Sequence, residues 1–270
     1  MASSSGDPDS LVVLHFHNFC AERMRHWWNL LGGNDHASIK GVFGKFSSLI
    51  RLRVNRSFLK ALASFWDPTH CCFSIREMDL VPTLEEYAEL FQLGSLFSET
   101  LIIPTQGPRS NRVLEKYLGP TSGVLHQEIH WVDETWRKTS ISLDLLRKYF
   151  SWNDFPADLV GDFIAGKQDW GKFRANAFKI AFASIFLFST SASRIDLGVI
   201  PLVFSEGKFI VPAILCETMR SLSYCQTKTG RGGSDILHAA SPAMVLQSLA
   251  ALLPSPDPLS LHKAHSETDH

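Results

Sequence analysis

The chain lacks most of what would assign it a chemistry. Its net charge is only −1 over 270 residues, so it has no overall basic field of the kind typical of free nucleic-acid binders. Its 5 cysteines, Cys20, Cys71, Cys72, Cys216 and Cys225, are an odd set without the paired spacing of a structural zinc site. The opening MASSSGDPDS is polar and holds neither Lys nor Arg, which does not read as a secretory signal, so reduced thiols in an intracellular compartment are expected. The longest apolar run, 180–188, is too short to span a bilayer and reads as a buried helix. There is no G-x-S-x-G elbow and no H-E-x-x-H. Gly230-Arg231-Gly232-Gly233 is glycine-rich, but no Lys-Ser or Lys-Thr follows and no strand leads into a helix there, so it reads as a linker. No internal repeat is evident.

What the chain does have is aromatic content: 19 Phe and 7 Trp, which favour a well-filled core, although an interaction surface would also use them. The most informative stretch is 65–91, FWDPTHCCFSIREMDLVPTLEEYAELF. Ala61, Leu62, Phe65 and Trp66 recur at helical steps, predicting a helix that Asp67-Pro68 stops. Phe73 and Ile75 alternate with polar neighbours and predict a short extended passage. Thr83 and Glu86 form a T-x-x-E capping box, with Thr83 as N-cap. Leu84, Tyr87, Ala88 and Phe91 then share one stripe, with Glu85, Glu86 and Glu89 off it as a solvated face.

The predicted fold is mainly α: a multi-helix globular domain with short extended segments. Residues 1–10 read as a disordered N-terminus, 11–229 as the helical domain, and 230–270 as a linker, one short helix (242–253) and a polar tail. Within the domain, helices are expected at 11–31, around Val42, Phe46, Leu49 and Ile50, and from a cap at Asn55 toward Trp66. The alternation Ile50, Leu52, Val54 offers a competing strand reading. Residues 101–108 are expected to be extended or irregular, and 111–118 to form a helix closed by Gly119-Pro120. Helices are also expected at 125–136, at 143–150 under a Ser142 cap, and after Pro156 with Leu159, Val160, Phe163 and Ile164 behind it. The segment 173–188 is apolar nearly all round and belongs at the centre. Phe209 and Val211 read as extended, and Pro212 as the opening of a helix 213–225. Trp66, Phe178, Phe182 and Leu215 are expected to be buried.

Charge is distributed unevenly. Arg23, Arg25, Lys40, Lys45, Arg51, Arg53, Arg56 and Lys60 stand against only Glu22 and Asp35 across 22–60, whereas 61–100 is acidic apart from Arg76. The two stretches can pair within the fold. The sharper reading is a basic face that meets phosphate, with Arg51, Arg53 and Arg56 as candidate nucleic-acid contacts.

Other constellations are weaker. His126 and His130 have the i,i+4 spacing of zinc ligands on a helix, but Gln127 stands where a metalloprotease needs glutamate, so surface histidines are expected. His70-Cys71-Cys72 lacks a second pair, and partly buried thiols are expected. A nuclease could gather acids around Mg²⁺, and Asp67, Asp79, Asp162 and Glu217 are the ones worth testing. Their bland roles are turn former, loop residue, helix surface and ion-pair partner, and those are favoured. No catalytic, cofactor or metal residue is assigned, and no membrane or small-molecule substrate is expected.

Three ordered motifs carry a family resemblance: FWDP with DLVPTLEEY, then WGKFRANAFKIAFASIFLF, then IDLGVIPLVF with VPAILCETMRSLSYC. Across 43–225 the chain resembles an uncharacterised plant family related to the plant mobile domain. That resemblance implies an all-helical, non-enzymatic domain of transposable-element origin, placed in the nucleus and associated with protein or nucleic acid. An inactive remnant and a transposase-like metal-dependent nuclease are the alternatives. The label "aminotransferase-like" attached to such proteins has no support here, since nothing suggests a lysine placed for a pyridoxal phosphate Schiff base. After Lys228 the chain departs from the family pattern, reading GGSDILHAASPAMVLQSLAALLPSPDP. A truncation, a frameshift or a misassigned exon is the expectation there.

Overall fold

The computed structural model describes residues 18–51, 63–91, 111–121, 123–125, 130–131, 139–164, 169–188, 194–204 and 210–229. The expectations for 1–10, Asn55, 101–108, Phe209 and 230–270 lie outside the described residues. Helix α1 (Asn18–Leu30) turns Met24, Trp27 and Trp28 inward, and α2 (Gly33–Phe43) turns Ile39 and Phe43 inward. The helix expected around Val42 to Ile50 is broken at Gly44. There φ is 52° and ψ −131°, and a Cβ would lie 2.5 Å from the backbone carbonyl of Phe91. Only glycine fits that conformation and that approach. Beyond it the chain winds more tightly as a 3-10 segment, Gly44–Arg51, burying Phe46 and Ile50.

A small antiparallel sheet follows, in the order β1 (Trp66–Asp67), β2 (Cys72–Ile75), β3 (Met78–Leu80). The helix predicted through Trp66 ends earlier. Trp66 is a strand residue opposite Phe73, and Phe65 is exposed. The helical spacing of these residues is overridden by cross-strand packing, with the Trp66 and Phe73 rings edge-to-face at 4.9 Å. The extended reading of Phe73 and Ile75 holds. Helix α3 (Leu84–Phe91) starts on a reciprocal cap, as expected. The Glu86 amide donates to Thr83 Oγ1 (3.3 Å), and the Thr83 amide donates to the Glu86 carboxylate (2.9 Å). Tyr87, Ala88 and Phe91 are buried with Leu90, and the three glutamates are exposed.

Helix α4 (Asn111–Leu118) matches the predicted bounds and stops at Gly119, whose φ is 85° and whose absent Cβ would overlap the Phe173 ring. A second antiparallel sheet has the order β4 (His130–Trp131), β5 (Thr139–Ser142), β6 (Arg194–Asp196). The expected helix 125–136 is therefore corrected at His130 and Trp131, which pair with Ser140 and Thr139. Ser142 caps α5 (Leu143–Phe150), accepting from the Asp144 amide at 3.1 Å. Pro156 precedes a 3-10 turn, Ala157–Asp162, rather than an α-helix. Phe163 is buried behind that turn, whereas Val160 and Ile164 are exposed.

The centre of the molecule is α6 (Trp170–Phe182), continued by a π-turn over Ala183–Leu187 in which the Phe188 amide reaches back to the Ala183 carbonyl at 2.8 Å. Phe173 is buried, and from Ala175 to Phe182 every residue is, so water is excluded from every side over that length. Helices α1, α2, α4 and α5 pack around it, as does the short α7 (Val199–Val203). Rings interlock at these contacts, Trp27 with Phe178 at 5.3 Å and Phe43 with Phe182 at 4.7 Å. The last described helix, α8 (Ile210–Thr229), packs on α3 and β1. Val211, read as extended, is instead in its first turn with Pro212, where the missing proline N–H costs no helical bond. Trp66, Phe178, Phe182 and Leu215 are all buried, as expected, and the fold is mainly α with short strands. No helix among the described residues is long and apolar enough to cross a membrane.

Candidate functional site

The outer side of α1 meets the end of the 3-10 segment in a cleft of about 350 Å³ lined by Arg25, Trp28, Asn29, Ile50 and Arg51. Its floor is rigid. Trp28 is buried, stacked on His36 with centroids 4.1 Å apart and tilted against Phe178 at 5.5 Å. The His36 ring also lies with Nε2 2.9 Å from the Trp28 carbonyl oxygen. Arg25 Nε donates to the Ile50 carbonyl at 2.7 Å. That bond satisfies an orphan acceptor at the end of the 3-10 turn and fixes Arg25 beside Arg51. Arg51 and Asn29 are exposed at the rim.

Among the described residues the lining holds no carboxylate, and the surrounding pairs sharpen the contrast. Arg23 and Arg147 share Asp144, Arg174 meets Asp35 at 2.6 Å, Arg220 meets Glu217, and Lys45 meets Glu89 at 3.2 Å. Pairing between the basic and acidic stretches thus occurs at Lys45–Glu89. Arg25 and Arg51 make no ion pair with a described residue. Two guanidinium groups, an amide side chain and an apolar floor suit a phosphate ester. Of the three arginines singled out from the sequence, Arg51 is at this cleft, and Arg53 and Arg56 lie outside the described residues. Sequence reasoning missed Arg25 and Asn29 as partners of Arg51. Their i,i+4 spacing on a predicted helix was the available signal.

The acids considered for metal chemistry are each engaged singly. Asp67 accepts from the Thr69 amide at 2.7 Å and pairs with His70 Nδ1 at 2.7 Å. The His70 hydrogen bond holds the Asp67 carboxyl below its ordinary range, and Asp67 in turn raises the imidazole. Asp79 accepts from Ser74 Oγ (2.7 Å), Asp162 from the Tyr149 hydroxyl (2.8 Å), and Glu217 from Arg220 Nε (2.9 Å). Asp79 is in strand β3 rather than a loop, and Asp162 ends a 3-10 turn. Among the described residues no three His, Cys, Asp or Glu side chains gather to hold a metal ion. Cys72 is buried and Cys71 half-buried. His130 is in a strand, and His126 lies outside the described residues.

Two buried titratable groups lie away from the cleft. Lys179 on α6 is buried, donating to Ser38 Oγ at 2.8 Å; desolvation depresses its ammonium, and Asp35 opposes that shift. Burial raises the Tyr87 phenol far above its ordinary value. Thr218 beside it partly offsets the effect, yet the hydroxyl has no close hydrogen-bond partner among the described residues.

A family model described as a domain of unknown function, DUF7745, matches residues 24–238. The chain belongs to that family. The DUF7745 match takes in Arg25, Trp28, Asn29, Ile50 and Arg51, so every described lining residue of the cleft lies within the family domain. It begins upstream of Phe43 and runs past Gly230, further at both ends than the resemblance drawn from the three motifs. No curated protein and no solved structure matches the chain. The expectation of an uncharacterised family holds.

Proposed function

We propose that this DUF7745 chain is a non-enzymatic helical module that associates with nucleic acid in the nucleus, with the cleft between α1 and the 3-10 segment taking a backbone phosphate. One observation carries the reading: Arg25 and Arg51, far apart in sequence, line one cleft in which no described lining residue is a carboxylate. An Arg fork matches phosphate oxygens bidentately, and Asn29 adds an amide donor. The Arg25–Ile50 bond holds one fork in place before any ligand arrives, which limits the ordering cost of binding. With a net charge of −1 there is no long-range field to add affinity, so binding would be local and weak in the absence of Arg53 and Arg56. The three-motif resemblance to relatives of the plant mobile domain supports the nuclear placement and the transposable-element origin. An inactive remnant and a metal-dependent nuclease are the other readings, and no specific observation favours either.

The test is binding of the full chain to a fluorescent DNA duplex across a salt series. Arg51→Ala and Arg53→Ala should weaken binding uniformly across sequences. Each should make the slope of log K against log salt shallower by about 0.9 for every phosphate that is no longer neutralised. Binding that is absent, or indifferent to both substitutions, overturns the proposal. Mg²⁺-dependent cleavage abolished by Asp162→Ala or Glu217→Ala would replace it with the nuclease.

A further inference from the structure

The β1–β2–β3 sheet carries a feature that the cleft does not explain. Cross-strand register places Trp66, Phe73 and Leu80 in one row, and Ile75 beside Met78 in the next. Because side chains alternate along a strand, these five share one face. Exposure climbs steeply across it. Trp66 and Phe73 are buried at 3% and 6%, the former anchored by Nε1 donating to Ser223 Oγ at 3.1 Å. Leu80 is 46% exposed and Met78 61%, with Val81 next to them at 52%. The apolar face therefore continues outward past the point where the domain stops covering it.

The outer edge of β3 is also open among the described residues. Among the described residues β3 has β2 as its one neighbour, and all three of its residues are exposed. Such an edge presents free backbone donors and acceptors, and proteins commonly blunt it with lysine or proline. Here the charges on and beside β3 are Glu77 and Asp79, with Glu85 and Glu86 opening the next helix. Arg76 is the one Arg or Lys of 76–91, and His70, paired with Asp67, lies near Asp79. An acidic edge repels an acidic strand and attracts a basic one. The turn that presents β3 has Arg76 at φ 57°, a left-handed conformation costly for a side-chain-bearing residue.

We infer that β3 is a docking edge for an extended peptide in which apolar and basic residues alternate. The peptide adds a fourth strand through its backbone, its apolar side chains cover Leu80 and Met78, and its Arg or Lys side chains meet Glu77 and Asp79 on the other face or at the rim. This is strand addition, in which main-chain bonds supply affinity and alternate side chains supply selectivity.

The test uses the full chain and a fluorescein-labelled octapeptide of alternating valine and arginine, read by anisotropy. Two controls accompany it: the same composition in two blocks, and alternating valine and glutamate. The alternating basic peptide should bind, and both controls should bind at least about tenfold more weakly. Met78→Lys with Leu80→Lys should cut its affinity by about tenfold or more. Both side chains are exposed, so the thermal melt should not move. Arg51→Ala should leave peptide binding unchanged, which separates this edge from the phosphate cleft. Equal binding of the block peptide, or affinity that survives the double substitution, overturns the inference. A dimer of the chain dispersed by the double substitution in sedimentation would also overturn it, since a second copy would then be the occupant.

Discussion

A single methyl group added at Gly44 should loosen the packing of the 3-10 segment against α3. Two costs combine in Gly44→Ala. The backbone at φ 52°, ψ −131° is one that side-chain-bearing residues avoid, at about 1–3 kcal/mol. The new Cβ would also lie 2.5 Å from the Phe91 carbonyl carbon and oxygen and 2.7 Å from the Leu90 oxygen. Those atoms are backbone, so no rotamer change relieves the overlap, and forced repacking adds about 1–3 kcal/mol. Together they predict a loss of about 2–6 kcal/mol, a large part of the roughly 5–15 kcal/mol typical of a whole domain. Gly41, inside α2, is the control, because nothing lies within 4 Å of its missing Cβ. Gly41→Ala should stabilise by about 0.5–1 kcal/mol through the unfolded chain. Urea denaturation followed by far-ultraviolet circular dichroism reads both as shifts in midpoint at constant slope. A Gly44→Ala midpoint equal to or above that of the parent would refute the placement of the 3-10 segment against α3.

Two further outcomes are expected. Trp66→Ala should cost about 3–5 kcal/mol by emptying a buried site. Trp66→Phe should lose less, since it forfeits mainly the bond to Ser223; equal losses in a urea melt would assign the cost to the hydrogen bond and contradict the packing account. For Lys179, the folded ammonium titrates below its ordinary value. Between that depressed value and about 10.4 the unfolded chain therefore binds more protons, and native stability rises with pH. Lys179→Met should remove that rise and be no less stable at neutral pH, because a buried charge is replaced by an apolar group of similar length. Parallel alkaline stability profiles for parent and variant would count against it.

Sequence reasoning succeeded where the determinants were local. Thr83 with Glu86 and Ser142 with Asp144 are caps closed within three residues, and the stripe from Leu84 to Phe91 needs only the helical period. The all-round burial of α6 was legible from its unbroken apolar composition. The failures share a different cause. Trp66, His130 and Trp131 are in strands fixed by Phe73, Ser140 and Thr139, partners that no local period announces. Val211 alternates like a strand residue but is drawn into α8, where it is fully buried. The cleft was legible only as one arginine, because Gly44 ends α2 and the tighter 3-10 winding beyond it decides where Arg51 comes to rest.

The central position of α6 bears on how the protein is made. Trp28 touches Phe178 from 150 residues away, so on a ribosome the amino-terminal helices emerge well before the rod that shields them. At about 5–20 residues per second the delay is roughly 8–30 s. Throughout that interval Trp27, Trp28 and Phe43 await Phe178 and Phe182, a window in which a holdase chaperone has something to grip.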